Sequence, residues 1–405
     1  MAKKHTDLGS SAPEKKSRKR RWIRYVLLVD GLVLLGVVAA IVAFWLAPEN
    51  GTTENCPVIK LSSDGRLLFF ADVETGEKTY SYDPETHEVA EVLDEAVSLC
   101  RIREDFVFYS GREGLFLLDR ESGQKKLLLP YGREKREGAA ELNGEALLDT
   151  PVTEGCSDFC EENGLLCFVY RASRRLQTDE HTVVGEEQWI TLYSYDIKNG
   201  RLSAVKSDYK RKNNLAGSVS SNGLFYHGLR LIGGKLYYQT GNDVLRLSLD
   251  GKETERVYRA EGISGNVYWN DDFFYSVEQD TSLFARKISL DGETLSSWKL
   301  EDGAEVPFQR SEPYYDPTSD LFYAYYDRTL LGFSLEEPKA YTVKAELTTE
   351  ERYSEAELLV LGDRVYIALF PVNGRVRNTK DYVIVEVNQK NEAVTVIKNG
   401  KPVSR

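Results

Sequence analysis

One short pattern of β-strands recurs along most of this chain of 405 residues. A run rich in aromatic and β-branched residues precedes a turn, a second run ending near Asp, a turn with Gly or Asn, and a third run. The pattern is clearest in GRLLFFAD (65–72), TYSYD (79–83) and VAEVL (89–93), and it returns with LYSYD at 192–196. Helical periodicity is nearly absent after residue 50, so the pattern predicts an all-β repeat protein.

The repeats are spaced like the blades of a β-propeller. Their second strands are expected to begin at 66, 106, 165, 235, 273, 321 and 365. A further short run precedes most copies, which makes four strands per unit, and the shorter spacings match the roughly 40 to 50 residues of a propeller blade. Neighbouring blades would cover both hydrophobic faces of each sheet. We therefore expect a β-propeller over 56–397 with about seven four-stranded blades, six or eight remaining open.

The tandem Tyr-x-Tyr-Asp motif resembles the repeats of bacterial β-propellers of the TolB, YVTN and quinoprotein-like kind. It stands here as YSYD at 80–83 and as YSYDIKNG at 193–200. The resemblance covers roughly 56–397 and implies a fold and a binding platform, but it carries no catalytic residue across. The sequence lacks the Gly-His and Trp-Asp signatures of WD repeats.

The N-terminal region predicts a membrane anchor. Residues 1–24 contain nine Lys/Arg against two acidic residues, and in the apolar run 25–47 only Asp30 is ionisable. As a helix this run spans about 34 Å, enough for a hydrocarbon core of about 30 Å. Basic residues directly before the helix predict a cytoplasmic N-terminus. A cleaved signal peptide is the alternative, although its apolar core is usually shorter.

This topology divides the chain into five parts. They are a basic cytoplasmic tail (1–24), a transmembrane helix in the lipid bilayer (25–47), a linker (48–55), the propeller outside the membrane (56–397) and a C-terminal tail (398–405). The net charge of the whole chain is −12, and removing the +7 of the tail and the −1 of Asp30 leaves −18 for residues 31–405. An acidic ectodomain argues against nucleic-acid binding, which needs Lys and Arg to neutralise phosphate.

Five cysteines lie beyond the predicted helix, where disulfides can form. Asn163-Gly164 has the composition of a two-residue type I′ turn, which would place Cys160 opposite Cys167 in a hairpin. We expect a disulfide between this pair. Cys56 and Cys100, on the equivalent first strands of neighbouring blades, form a weaker candidate pair, and Cys156 would then be free.

Two long polar insertions, 131–155 and 171–188, are candidates for a recognition surface on the propeller rim. In the second insertion we expect a binding loop, with plain surface loops as the alternative. The candidate residues of this loop are Arg171, Arg174, Arg175, Asp179 and His181. His227 precedes a predicted inner strand and is a candidate for lining the central channel, with a hydrogen bond between blades as the alternative.

Candidate catalytic chemistry is sparse. The four histidines are scattered at His5, His87, His181 and His227, which disfavours a three-His metal site or a serine-hydrolase triad. We expect no metal, no cofactor and no catalytic residue set. The sequence favours a membrane-anchored binding or scaffolding module for a protein, peptide or cell-surface glycan. The alternatives are a propeller lyase or hydrolase that uses channel carboxylates and tyrosines, and an assembly or sensor subunit.

Overall fold

The computed structural model describes residues 61–398 with gaps, and these residues belong to the unit Pro57–Arg405. The gaps are 73–77, 96, 112, 133–140, 143–144, 149, 180–181, 214–225, 301–307, 309–312, 327, 337–341, 347–352, 374–375, 378–381 and 392. No helix among the described residues is long and apolar enough to cross a membrane. The predicted helix 25–47 and Cys56 lie outside the described residues.

The described chain folds into seven consecutive antiparallel sheets of four main strands each, which confirms the predicted propeller with seven blades. Blade 1 contains β1 (Ser62–Ser63), β2 (Leu68–Asp72), β3 (Lys78–Tyr82) and β4 (Val89–Leu93). Blade 2 contains β5 (Ser98–Ile102), β6 (Phe106–Ser110), β7 (Gly114–Asp119) and β8 (Lys125–Pro130). A separate pair, β9 (Glu141–Leu142) and β10 (Glu145–Ala146), follows. Blade 3 contains β11 (Val152–Glu162), β12 (Leu165–Gln177), β13 (Val183–Asp196) and β14 (Arg201–Asn213).

Blades 4 to 7 repeat the same meander. Blade 4 contains β15 (His227–Ile232), β16 (Lys235–Thr240), β17 (Asp243–Ser248) and β18 (Thr254–Arg259). Blade 5 contains β19 (Ile263–Trp269), β20 (Phe273–Gln279), β21 (Leu283–Ser289) and β22 (Thr294–Leu300). Blade 6 contains β23 (Tyr314–Asp316), β24 (Leu321–Tyr326), β25 (Thr329–Phe333) and β26 (Thr342–Glu346). Blade 7 contains β27 (Tyr353–Leu361), β28 (Arg364–Asn373), β30 (Val383–Asn388) and β31 (Val394–Lys398), and β29 (Val376–Arg377) pairs with β28.

The positions of the second strands agree closely with the sequence pattern. They begin at residues 68, 106, 165, 235, 273, 321 and 364. The agreement arises because each second strand is buried on both faces and therefore carries the longest aromatic and β-branched run of its repeat. The first described strand, β1, begins at Ser62, and residues 51–60 before it lie outside the described residues.

Hydrophobic cores lie between the blades, one at each blade interface. Phe69 and Tyr109 join blades 1 and 2, for example, and Phe322 joins blade 6 to Tyr275 of blade 5. The ring closes in the same way, because Phe70 of blade 1 shares a core with Phe370 of blade 7. Each blade is formed by one continuous stretch of chain, so side-chain packing rather than a shared strand joins the first blade to the last.

In every blade the pairing between the third and fourth strands shifts register once. Such bulges bend the outer strand and increase its twist. In blades 3 and 4 the bulged residues are Val205 and Val257, and each presents its carbonyl oxygen to a glycine of the next blade, Gly251 and Gly292 respectively. The repeated SLDG turn of blades 4 and 5 is thereby fitted against the preceding blade.

The meander gives the propeller two different faces. The turn face carries the turns between first and second strands and between third and fourth strands of each blade. The connection face, on the opposite side, carries the turns between second and third strands and the ends from which the chain passes to the next blade.

Candidate binding surface on blade 3

Blade 3 is about twice as long as most other blades. Its strands β11, β12, β13 and β14 contain 11, 13, 14 and 13 residues, whereas those of blade 4 contain six each. The extra length lies on the connection face, in 171–177, 183–190 and 207–213, which we call the blade 3 extension. At about 3.3 Å per residue the hairpin of β12 and β13 rises roughly 20 Å beyond the body of the blade.

The predicted binding loop at 171–188 is a hairpin and not a loop. β12 continues to Gln177 and β13 begins at Val183, with Ala172 opposite Trp189 and Arg174 opposite Glu187. The polar composition suggested a loop, but in the hairpin these polar side chains interact with side chains on the neighbouring strand, which a sheet can accommodate. The polar residues 206–213 are likewise part of strand β14.

A buried ion pair lies in the middle of the blade 3 extension. Glu187 is 0% exposed. Its Oε2 atom accepts a hydrogen bond from Arg174 Nη2 at 2.5 Å, and its Oε1 atom accepts one from Tyr209 OH at 2.7 Å. Because both carboxylate oxygens have donors, the charge of Glu187 is compensated despite its burial.

Residues of the first insertion lie along the same hairpin. The Leu148 backbone N–H donates to the carbonyl of Gln177 at 2.8 Å, and Thr150 Oγ1 donates to the carbonyl of Arg175 at 2.5 Å. Ala172 and Leu176 are buried. The two insertions that the sequence treated separately therefore form one structural unit.

The structure distributes the other candidate residues of the hairpin over different roles. Arg171 Nη2 bonds to Asp158 Oδ2 at 3.1 Å and to the carbonyl of Tyr226 at 2.5 Å, which links blade 3 to blade 4. The Asp179 carboxylate accepts bonds from the Thr182 N–H and hydroxyl at 2.8 and 2.9 Å and so stabilises the hairpin turn. Arg175 is exposed. His181 lies outside the described residues.

Sequence reasoning missed the aromatic part of this surface. Trp189 and Tyr209 lie with ring centroids 5.5 Å apart on neighbouring strands. Tyr209 is 54% exposed. Partial burial and the hydrogen bond to Glu187 raise the pKa of Tyr209. The only signal in the sequence was the alternation around Trp189, which lies directly after the polar segment 171–188 whose composition suggested a loop.

The inner strand of blade 3 carries a bulge beside this surface. Asp158 lies at this bulge with φ of 53°, and its Oδ1 atom accepts the Gly228 N–H at 3.2 Å. His227, the candidate channel residue, directly precedes Gly228 and is half-buried opposite Gln239. Its role in the channel stays a prediction.

The predicted cysteine hairpin has the expected register. Asn163 and Gly164 both have positive φ, 52° and 79°, and Cys160 pairs with Cys167. The structure holds both as free, buried thiols. A hydrogen bond with Cys167 and burial raise the pKa of Cys160. The disulfide between them stays a prediction, and the side chain of Cys100 lies outside the described residues.

The turn face is tied together by polar contacts between neighbouring blades. At each of the seven interfaces a side chain of one blade bonds to a turn or strand end of the next, at 2.6 to 3.1 Å. The ties are Asp64–Arg120, Arg103–Glu161, Glu162–Gly233, Arg230–Asp271, Lys287–Glu336, Tyr323–Gln389 and Arg364–Glu85. Many acidic turns of this face are therefore engaged in holding the ring.

Three further carboxylates form clusters with tyrosines, one between blades 4 and 5 and two within a single blade. Glu278 accepts bonds from Tyr258 OH and, at 3.0 Å, from Ser276 Oγ. The other two clusters are Tyr366 with Glu386 at 2.9 Å, and Tyr315 with Asp320 at 2.8 Å. Burial is the first cause that raises the pKa of Tyr258, Tyr315 and Tyr366. No group of three His, Cys, Asp or Glu in the described part of the chain is arranged to hold a metal ion.

No known protein family and no curated protein matches this sequence. Among solved structures, a puromycin-hydrolysing peptidase from Mycobacterium tuberculosis is similar with a TM-score of 0.52 and 13% identity, over 85% of this chain and 54% of that chain. Dipeptidyl peptidase 4 from Porphyromonas gingivalis is similar with a TM-score of 0.43 and 11% identity, over 85% and 53%. The chain spans about half the length of these two peptidases.

A calcium-binding protein, regucalcin, from Agrobacterium tumefaciens is similar with a TM-score of 0.35 and 10% identity, over 78% of this chain and 83% of that chain. At such low identity these likenesses concern the fold alone. Only the first has a TM-score above one half, so the other two carry no argument.

Proposed function

We propose that this protein is a membrane-anchored, extracytoplasmic β-propeller that binds a protein, peptide or cell-surface glycan through the blade 3 extension. The anchor is the helix 25–47 inferred from the sequence, with the N-terminus in the cytoplasm. The likeness of the YSYD repeats to TolB, YVTN and quinoprotein-like propellers belongs to the same proposal.

One observation carries the proposal: among the blades as far as the structure describes them, only blade 3 has four strands of 11 to 14 residues. A propeller needs only four short strands per blade to close its ring. The extension therefore adds polar and aromatic surface that the fold does not require. Rigid sheets are suitable binding surfaces because their side chains are already ordered before the partner arrives.

The arrangement of charge supports the same surface. Many acidic turns of the turn face are engaged in ties between blades, such as Arg120 with Asp64 and Arg103 with Glu161. The extension instead presents the exposed Arg175 and the ring of Tyr209. An aromatic ring beside polar groups suits both protein and glycan partners.

A lyase or hydrolase is the second candidate, and the clusters of tyrosine with carboxylate are its best evidence. Such a reaction needs a phenolate or a carboxylate ready to take a proton. In the clusters of Glu278 and Glu386 the tyrosine donates to the carboxylate, and an arginine lies within 4 Å of it. The raised pKa values of Tyr258 and Tyr366 keep both phenols protonated at neutral pH, which favours a stabilising role.

The test uses the full-length protein with an affinity tag, expressed in its source cells. Partners are cross-linked in intact cells, purified in detergent and identified by mass spectrometry, and the purified protein is also applied to an array of surface glycans. The variant replaces 177–184 by Asn-Gly, which joins Leu176 to Gly185 by a two-residue turn and keeps the pair of Arg174 with Glu187.

We expect the shortened variant, or a second variant, Arg175→Glu with Tyr209→Ser at exposed positions of the remaining extension, to lose a specific partner or glycan that the native protein captures. The matched control is Glu121→Lys on the turn face, an exposed position, which should retain capture. Equal capture by the native protein, the shortened variant and the variant Arg175→Glu with Tyr209→Ser would refute the proposal. Turnover of a glycan on the array would establish the enzyme instead.

A further inference from the structure

The outermost strand of blade 3 has a longer regular edge than any other described outer strand. From the bulge at Val205 toward the connection face, β14 pairs with β13 through eight consecutive residue pairs, from Lys206 with Leu192 to Asn213 with Gly185. In the other six blades the same stretch contains between one and five pairs.

This difference matters because an outer strand has one row of backbone N–H and C=O groups directed away from its sheet. Short, bulged edges do not accept another strand easily, whereas a long regular edge is a template for one. In the part of the chain that the structure describes, β13 is the only strand that pairs with β14. Tyr209, near the middle of this edge, is 54% exposed.

The edge also differs in charge from the rest of the molecule. β14 contains Arg201, Lys206, Lys210, Arg211 and Lys212 against the single acidic residue Asp208. The whole chain carries a net charge of −12. Two copies of β14 paired with each other would bring these basic residues together, so charge disfavours a second copy of this chain as the occupant.

The register specifies the pattern that a pairing strand should have. Lys206, Asp208 and Lys210 alternate with Ser207, Tyr209 and Arg211 along β14, so the two sets lie on opposite faces of the sheet. In an added strand, every second residue would lie on the face that carries Lys206 and Lys210. The residues that alternate with these would lie on the face that carries Tyr209. Acidic residues at alternate positions, with β-branched or aromatic residues between them, fit both faces.

We propose that residues 207–213 of β14 bind an extended, acidic peptide segment of a partner protein as a further strand of blade 3. This inference rests on the proposed function and narrows it to a peptide partner and a main-chain mode of recognition. Backbone hydrogen bonds supply affinity in this mode, and the side chains on alternate faces supply specificity.

The test uses the full-length protein in detergent and two synthetic decapeptides. One peptide alternates Glu with Val and Thr, and the other has Lys in place of every Glu. Binding is measured by fluorescence anisotropy at low and high salt, and amide hydrogen exchange locates the protected residues. We expect the Glu peptide to slow exchange within 207–213, to bind at least about tenfold more tightly than the Lys peptide, and to weaken with salt.

Two double variants make the test specific. Lys210→Glu with Lys212→Glu should reverse the preference between the two peptides. Arg256→Glu with Arg259→Glu, on the outer strand of blade 4, changes the same charge at exposed positions and should leave the preference unchanged.

Equal binding of the two peptides, or protection outside 207–213, would overturn the inference. Two results obtained without peptide would also overturn the inference. In one, the amides of 207–213 are protected from exchange and lose this protection when 214–225 are deleted; in the other, their protection depends on protein concentration. The first result identifies the chain's own segment as the occupant, and the second identifies another copy. If one of these results is obtained but shortening 177–184 abolishes partner capture, the proposed function is retained and only this inference is rejected.

Discussion

Gly251 of blade 4 lies directly against the backbone carbonyl of Val205 in blade 3. A Cβ atom at Gly251 would come within 2.1 Å of that oxygen, and the residue has φ of 73°. Gly292 stands in the same relationship to Val257, one blade further on, with 2.0 Å and φ of 92°. In these two outer strands the bulged residue therefore also contacts the next blade and positions it.

We predict that Gly251→Ala destabilises the protein by about 2 kcal/mol or more, because the left-handed backbone and the carbonyl contact both oppose a methyl group. Urea unfolding followed by tyrosine and tryptophan fluorescence measures the change. Gly123→Ala is the control, since Gly123 has a similar φ of 68° with nothing within 4 Å of its Cβ position. If the two variants lose equal stability, the contact with Val205 contributes nothing.

Glu187→Ala should cost about 3 kcal/mol, because the substitution leaves Arg174 with an uncompensated charge inside the blade 3 extension. The same urea titration measures this loss. The double variant Arg174→Met with Glu187→Leu should regain most of it, since no buried charge is then left unpaired. Glu91→Ala, which removes an exposed partner of Lys78, should change stability by less than about 1 kcal/mol. A Glu187 variant as mild as this control would contradict the burial of the pair.

Stability should fall at alkaline pH because of buried tyrosines. Burial raises the pKa of Tyr238 from 10.0 to about 12. The folded state therefore keeps a proton that the unfolded state loses, so stability is fully present below pH 10 and declines as the pH rises toward 12. Tyr238→Phe should reduce the slope of unfolding free energy between these values. Tyr326→Phe, at an exposed position, is the matched control. Equal slopes in the two variants would show that Tyr238 is not a cause of the alkaline loss of stability.

We expect Cys160 and Cys167 to form a disulfide when the protein matures outside the cytoplasm. The reaction joins the two sulfur atoms and transfers two electrons and two protons to a thiol oxidant of that compartment. In unfolded, unreduced protein, alkylation followed by mass spectrometry should modify Cys156 but neither Cys160 nor Cys167. The bridge should stabilise the protein by about 2 kcal/mol. Alkylation of all three thiols without reductant would refute it.

The proposed anchor predicts the location of both chain ends. A reporter that is active only outside the cytoplasm should work when fused after residue 405 and fail when fused before residue 1. Replacing Lys19, Arg20 and Arg21 by Glu should reduce the difference in reporter activity between the two fusions, because basic residues before a helix keep that end of the chain in the cytoplasm. Protein released from membranes by high salt or found without residues 1–47 would contradict an uncleaved anchor.

Much of the fold was readable from local patterns. Strand periodicity and the recurrence of runs such as LYSYD placed all seven second strands within two residues of their observed starts. The register of Cys160 with Cys167 followed from Asn163-Gly164 alone, because a two-residue turn with positive φ at both positions leaves one pairing. These features depend on a few neighbouring residues, so they needed no knowledge of the ring.

The blade 3 extension was not readable in this way. Arg174 and Glu187 look like residues of a solvated loop when each is considered alone, and Ala172 and Leu176 are too few to give a clear strand signal. Their burial depends on the strands and the insertion residues around them, such as Tyr209, which lies 22 residues from Glu187 in the chain.

The sequence by itself determined the repeat, the number of strands per blade and the positions of most strands, because hydrophobic alternation and turn residues act locally. Only the tertiary structure decided which charges are buried, which turns bond to the next blade and which outer edge stays long and regular. Those properties depend on contacts between residues far apart in the chain, either within blade 3, where Tyr209 meets Glu187, or between neighbouring blades, where Glu162 meets Gly233 and Gly251 meets Val205. Such contacts exist only after the strands have packed together.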